Sequence, residues 1–230
     1  MNTKNSLIAI VLAIAAILIV GGFIYSRPYD EKPVPAAVTA TSTAVADTFD
    51  QAISDGTIAF GYPSKEFGLA TNTDQILVKS YIPPCSEKFD YCLYYHGSEF
   101  AGTNFESSGV RIEKRADLKT QTACLNAMPN GFAGGFVPKI STSTDYVTSS
   151  FSPLGDAGAG HYASGALYRL SYKGSCYEFE TRIGQTQFAN YPAGSIKEFT
   201  AALAASAQRE LSDIMAGMTL MNGEKVRFPN

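Results

Sequence analysis

The chain has 230 residues, a formal net charge of −3, two histidines, four cysteines and no tryptophan. That length fits one folded domain with appendages. With 45% hydrophobic and 17% charged residues it has the apolar material for a core, which excludes a disordered tail. Its mild acidity is not the electrostatic footprint of a general nucleic-acid binder, so no nucleic-acid partner is expected.

From Asn5 to Ser26 there is no charged residue, and Leu7 to Tyr25 is almost wholly Leu, Ile, Val and Ala. Nineteen such residues at ~1.5 Å each span about 28 Å, one hydrocarbon core, so residues 7–25 are expected to engage the membrane. A cleaved signal peptide has a shorter apolar region and a small-x-small site, for which only Gly21-Gly22 offers itself. No cysteine follows at a lipoprotein position. The reading is an uncleaved signal-anchor over residues 1–26. Charges flanking the span are nearly balanced, with Lys4 before it and Arg27 and Lys32 after it. The cysteines settle the orientation: a single-pass protein of the cytoplasmic membrane with its C-terminal domain outside the cytoplasm.

Residues 27–47 run RPYDEKPVPAAVTATSTAVAD, stiffened at first by Pro28, Pro33 and Pro35 and then without helical or strand period. This is a tether to a folded extracytoplasmic domain over residues 48–230. Lys4, Arg27 and Lys32 balance Asp30, Glu31 and Asp47, so the domain itself also carries −3.

Within the domain, candidate strands are Thr57–Tyr62, Ile76–Tyr81, Tyr91–His96, Val110–Lys114 and Tyr146–Phe151. A short helix is expected from Asp117, with Leu118, Thr122, Leu125 and Met128 inward, ending before Pro129-Asn130-Gly131. His161 to Ile183 carries the clearest pattern. A two-residue turn at Lys173-Gly174 pairs Leu170 with Tyr177 and Tyr168 with Phe179 on one face, and Arg169 with Glu178 on the other. One register satisfies both faces. From Ser195 to Ala216 a long helix is predicted: Ser195 and Glu198 form a capping box, and Ile196, Phe199, Leu203, Ala207, Leu211, Ile214 and Met218 make one apolar stripe. Gly217 ends it, and Thr219-Leu220 resumes an extended chain. Strands outnumber helices, so the fold class is α+β, an antiparallel sheet with two packed helices.

Two stretches carry a family resemblance. Thr57–Ala70, TIAFGYPSKEFGLA, resembles the opening strand and F-x-Y-P bend of PsbP-like domains, and the final helix ending IMAGMTL, then a short strand, is similar to their close. The resemblance implies a PsbP-like α+β domain of the kind found in uncharacterised membrane-anchored bacterial envelope proteins. Its relatives mostly bind and stabilise other proteins. It brings no catalytic residues, and the four cysteines fall outside its pattern.

Cys85, Cys92, Cys124 and Cys176 are even in number and follow an export segment, so disulfides are expected. Cys85 and Cys92 flank the polar loop SEKFDY and would staple its neck; Cys124 would then pair with Cys176. Cys176 falls on the polar face of its strand, whereas a helix should cover the apolar face. Either the short helix packs at a sheet edge or the connectivity differs. The competing readings are a zinc site and a redox pair, but Cys-x6-Cys is too wide for a zinc knuckle and is not C-x-x-C. Neither D-x-D-x-D nor H-E-x-x-H occurs, so no metal and no cofactor is expected.

His161 is the catalytic candidate, following the small residues Gly155 to Gly160, with Asp156 placed to orient its imidazole. Ser164 is a poor nucleophile for it, since three positions along a strand point to opposite faces. The bland alternative is a flexible glycine loop leading to a solvent-facing histidine. His96, at a strand end, reads as structural. The glycines lack the helix that a phosphate loop requires. Asp145, Asp156, Glu99 and Glu106 pair only if the fold brings them together. Thirteen tyrosines suit a sugar or peptide groove, although Tyr162, Tyr168, Tyr172 and Tyr177 alternate as core. Three functions follow: a non-enzymatic interaction or accessory module with an envelope protein partner, an anchored hydrolase using His161 with Asp156, or a small-ligand binder with its pocket beside residues 152–161.

Overall fold

Two antiparallel sheets divide the strands of the computed structural model, which describes residues 49–71, 89–127 and 137–229. The smaller sheet joins β1 (Gln51–Ser54), β2 (Ile58–Tyr62) and β10 (Thr219–Leu220). The larger has seven strands in the order β3-β4-β5-β9-β8-β7-β6. They are β3 (Phe67–Thr71), β4 (Tyr91–Tyr95), β5 (Phe105–Lys114), β6 (Lys139–Thr142), β7 (Tyr146–Gly158), β8 (His161–Tyr172) and β9 (Ser175–Thr186). Two helices, α1 (Gln121–Asn126) and α2 (Ala201–Ala216), complete an α+β architecture. All described residues belong to one compact unit, Ala44–Asn230. None of their helices is long and apolar enough to cross a membrane, and the expected anchor lies outside the described residues.

The β8–β9 hairpin has the register its residues dictate: Tyr168 opposes Phe179, Arg169 opposes Glu178 and Leu170 opposes Tyr177. Its turn residues Lys173 and Gly174 have φ of 47° and 75°, the positive values a two-residue hairpin turn needs to match strand twist. One face of the ladder presents Leu93, Val110, Ile112, Leu170, Tyr177, Phe179 and Ile183 to a core closed by α2 and the small sheet. There Ala207, Leu211 and Ile214 of α2 meet Ile58, Phe60 and Leu220. Farther along this face, the C-terminal tail is fastened to β7, where Thr148 and Ser150 donate to the carbonyls of Arg227 and Pro229 at 2.7 and 2.6 Å.

Several expectations are corrected. The long helix starts at Ala201, not Ser195. Thr200 is the cap, accepting from the Leu203 amide, while Ser195 instead donates to the Pro192 carbonyl. Tertiary pairing overrides the capping-box signature: the Lys197 amide donates to the Gly102 carbonyl and the Phe199 amide to Asn104 Oδ1, holding residues 197–199 extended. The short helix starts at Gln121, capped by Thr120, because Asp117 is engaged by Arg115 in the turn before it. Gly217 does end α2, but at φ −77°, and its lack of a Cβ serves close packing: an added Cβ would lie 3.0 Å from the Phe49 ring.

Residues 152–158 are strand rather than glycine loop. β7 runs to Gly158, and only Ala159 and Gly160, with φ of 51° and 81°, make the turn into His161. The small residues there fit a tight two-residue hairpin. β1, β3 and β6 had no clear period in the sequence, and the expected strand Ile76–Tyr81 lies outside the described residues.

Candidate functional site

The opposite face of the large sheet is the unexpected one. Alternation places Arg111 and Glu113 of β5, Cys176, Glu178, Glu180 and Arg182 of β9, and Arg169 of β8 on it. Such a pattern reads as solvent-facing, yet Arg169, Glu178 and Arg111 are only 2%, 4% and 7% exposed. Helix α1 packs on this face, against β7, β8 and β9. Cys124 on α1 is bonded to Cys176 on β9, as expected. The helix therefore sits neither at an edge nor on the apolar side, and this pairing stands. Its last turn is fastened polarly: Ser149 Oγ donates to the Leu125 carbonyl at 3.1 Å and Arg169 donates to the Ala127 carbonyl. Cys92, fully buried on β4 beside Arg111, is also disulfide-bonded; Cys85 lies outside the described residues.

Glu178 is the hub of the layer. Its Oε1 accepts from Arg111 Nη2 at 2.7 Å, and its Oε2 from Arg115 Nη1 at 2.8 Å and Arg169 Nε at 3.0 Å. Arg111 also reaches Glu113 and Glu180, and Arg182 pairs with Glu180. Burial alone would raise the Glu178 pKa, but Arg111, Arg169 and Arg115 outweigh it and hold the carboxyl below its ordinary range. Burial lowers the pKa of Arg169, only partly opposed by Glu178. Four arginines are met by Glu113, Glu178, Glu180 and Asp117, so the layer neutralises itself and its geometry is that of a structural network.

Beyond this network on the same face lies the His161 site. His161 Nδ1 stands 2.8 Å from Glu106 Oε1. The residues lie on β8 and β5, two strands separated by β9, and Gly184, between Ser107 and Ala163 in the ladder, leaves the surface low where the side chains meet. The imidazole is partly exposed, and Glu106 Oε2 is buried without a hydrogen-bond partner among the described residues. Such a pair can hold the ring in one tautomer and move a proton. Asp156 pairs with Ala163 in the ladder, two pairs from Gly158 and His161, but its side chain lies outside the described residues. Ser164 opposes Ile183, on the other face from His161. Near this end of the hairpin, Tyr162, Phe188 and Tyr191 are 40%, 39% and 38% exposed.

His96 is exposed and ring-neighboured by Tyr94. Among the described residues, Asp145 accepts a hydrogen bond from Asn222, at 3.4 Å. Glu99 does join a carboxyl pair, with Glu210 of α2, a residue without any local signal in the sequence. Burial first, then Glu99 and Glu66, push the Glu210 pKa up to about 7. Among the described residues, no cluster of three or more His, Cys, Asp or Glu side chains is placed to hold a metal ion. No protein-family model matches the chain, and no curated protein matches it.

Proposed function

We propose that the chain is a membrane-anchored extracytoplasmic domain of a prokaryotic cell envelope, working as a non-enzymatic interaction or accessory module through a protein partner. The observation that carries this reading is the Cys124–Cys176 bond, buried and pinning α1 over a charged layer, with no free cysteine among the described residues. Such bonds persist in oxidising compartments. The charge-free stretch 7–25 supplies the anchor and residues 27–47 the tether. The PsbP-like resemblance of both ends of the domain belongs to the same reading, as do its binding-type relatives. Exposed Tyr162, Phe188 and Tyr191 offer the aromatic side chains that interfaces favour. The test is photocrosslinking from position 188 of the full chain in envelope membranes. A single discrete partner band, lost on Tyr162→Ser with Tyr191→Ser, is expected. A uniform smear unaffected by those changes overturns the reading.

A second reading, an anchored hydrolase, draws on the 2.8 Å His161–Glu106 contact, with Asp156 as the orienting carboxylate first expected. His161→Ala would then abolish turnover of ester, peptide or glycan substrates by the full chain. Failure of the wild-type protein to turn over any of the three classes rejects it.

A further inference from the structure

Where the two sheets meet, Ile58 of β2, Ile112 of β5 and Tyr177 of β9 floor a cleft of about 220 Å³. All three are buried, while the partly or fully exposed Asp55, Asp90, Tyr91 and Lys114 form its rim. The volume is below the about 300–1,000 Å³ of sites for drug-sized ligands and equals roughly seven waters. A metabolite of amino-acid size is the scale that fits.

The rim charges are fixed in place. Asp55 Oδ1 accepts from the Thr57 and Ile58 amides at 2.8 and 2.9 Å, and its Oδ2 accepts from the Tyr177 hydroxyl at 2.8 Å. Burial would raise the Asp55 pKa, but those donors and Lys114 hold it below its ordinary value. Asp90 Oδ2 accepts from the Lys114 amide at 2.6 Å, and its other oxygen makes no hydrogen bond among the described residues. The Lys114 ammonium lies over the Tyr177 ring, 5.5 Å from its centroid, and forms no salt bridge among them. An ammonium without a salt bridge and a carboxylate oxygen without a hydrogen bond, among the described residues, thus flank one apolar floor.

The rim carries two carboxylates and one ammonium, so a simple anion meets net repulsion, and a simple amine leaves Lys114 without an anionic partner in the ligand. A molecule with both charges satisfies both sides. We infer that this cleft binds a free α-amino acid with an aliphatic or aromatic side chain. Its carboxylate meets Lys114, its ammonium meets Asp90 and Asp55, and its side chain lies on Ile58, Ile112 and Tyr177. Because Asp55 is already held by the Thr57 and Ile58 amides and by Tyr177, little ordering accompanies binding. The inference stands apart from the partner-binding reading, which concerns the far end of the β8–β9 hairpin.

Calorimetric titration of the full chain in detergent micelles with L-leucine, L-leucinamide and N-acetyl-L-leucine tests it. Saturable binding of leucine is expected, at least about tenfold tighter than of either blocked form, each of which lacks one charge-assisted contact. Lys114→Met should abolish the preference for leucine over leucinamide, and Asp90→Asn the preference over N-acetyl-leucine. Melting temperatures of both variants report whether the fold is kept; if either falls, the ligand series on the wild-type chain decides. Absence of saturable leucine binding, equal binding of all three ligands, or folded variants with unchanged preferences overturns the inference.

Discussion

Arg169 Nε donates to Glu178 Oε2 at 3.0 Å across directly opposed positions of the β8–β9 ladder, on a face closed over by α1. Glu178 also anchors Arg111 and Arg115, so its loss leaves two buried guanidiniums and the partly buried Arg115 against a weakened acceptor set. Breaking a buried ion pair by removing one partner costs about 3–5 kcal/mol. Glu178→Gln is therefore expected to destabilise by that order, lowering the melting temperature by roughly 10 °C. Arg169→Met should cost less, because Glu178 keeps two arginines. Thermal unfolding of both variants checks the order; equal losses would deny Glu178 its place as hub.

The two shifted glutamates predict opposite pH slopes. Glu178 titrates lower folded than unfolded, so its contribution is present above the unfolded carboxylate pKa and is lost as pH falls through the folded one. Glu210 is raised from 4.5 to about 7, so the folded state holds its proton more tightly and stability falls as pH rises through that window. Glu210 is half-buried, and after allowance for screening the effect is of order 1 kcal/mol. Glu210→Gln should flatten the stability profile between about pH 5 and 8, and Glu178→Gln should flatten it below about pH 4.5. Urea midpoints across pH 3–8 read both slopes, and an unchanged slope in either variant rejects its assignment.

The Cys124–Cys176 bond closes a chain separation of 52 residues. Loop-closure entropy for that length gives about 4 kcal/mol, as a model-dependent figure. Replacing both cysteines by Ala should cost about that much in guanidinium unfolding. It should also expose the arginine layer first, because α1 has only six residues and is too short to hold its place alone. Faster amide exchange in α1 and at Glu178 than in α2 is the expected signature. Uniform loss of protection across the sheet would mean that the bond stabilises the domain as a whole.

The parts of this architecture legible in the sequence are those set by neighbours in the chain. The β8–β9 register follows from two alternating faces and one turn. Cys124 and Cys176 pair in the sequence reading only as the remainder once Cys85 and Cys92 are expected to staple their loop, and the face of Cys176 argues against it. What sequence hides is what distant segments impose. Ser195-x-x-Glu198 has the letters of a helix start, but Gly102 and Asn104 capture the backbone at Lys197 and Phe199 and delay the helix to Ala201. Arg169 and Glu178 alternate as solvent-facing residues do, and only the docking of α1 makes them interior. His161 was visible as a lone histidine beside small residues. Its contact with Glu106, 55 positions away across an intervening strand, was not.

Two glycines of the β7–β8 ladder separate packing from backbone freedom. At Gly165 an added Cβ would lie 1.9 Å from the Thr181 carbonyl oxygen, a backbone atom of the neighbouring strand that cannot swing aside. β7 already carries an irregularity between Phe151 and Leu154 opposite this point, consistent with a crowded crossing. Gly165→Ala must part β8 from β9, at the upper end of the roughly 1–3 kcal/mol typical of overpacking. At Gly155 the nearest atom among the described residues would be the Ala163 carbonyl oxygen at 3.9 Å, an ordinary contact. Its residue is exposed, and Ala there narrows the unfolded ensemble, which stabilises by about 0.4–1 kcal/mol. The two substitutions are chemically identical and expected to have opposite signs in urea unfolding. Destabilisation by Gly155→Ala comparable to that at Gly165 would show that residues 155–158 are held by contacts other than the ladder.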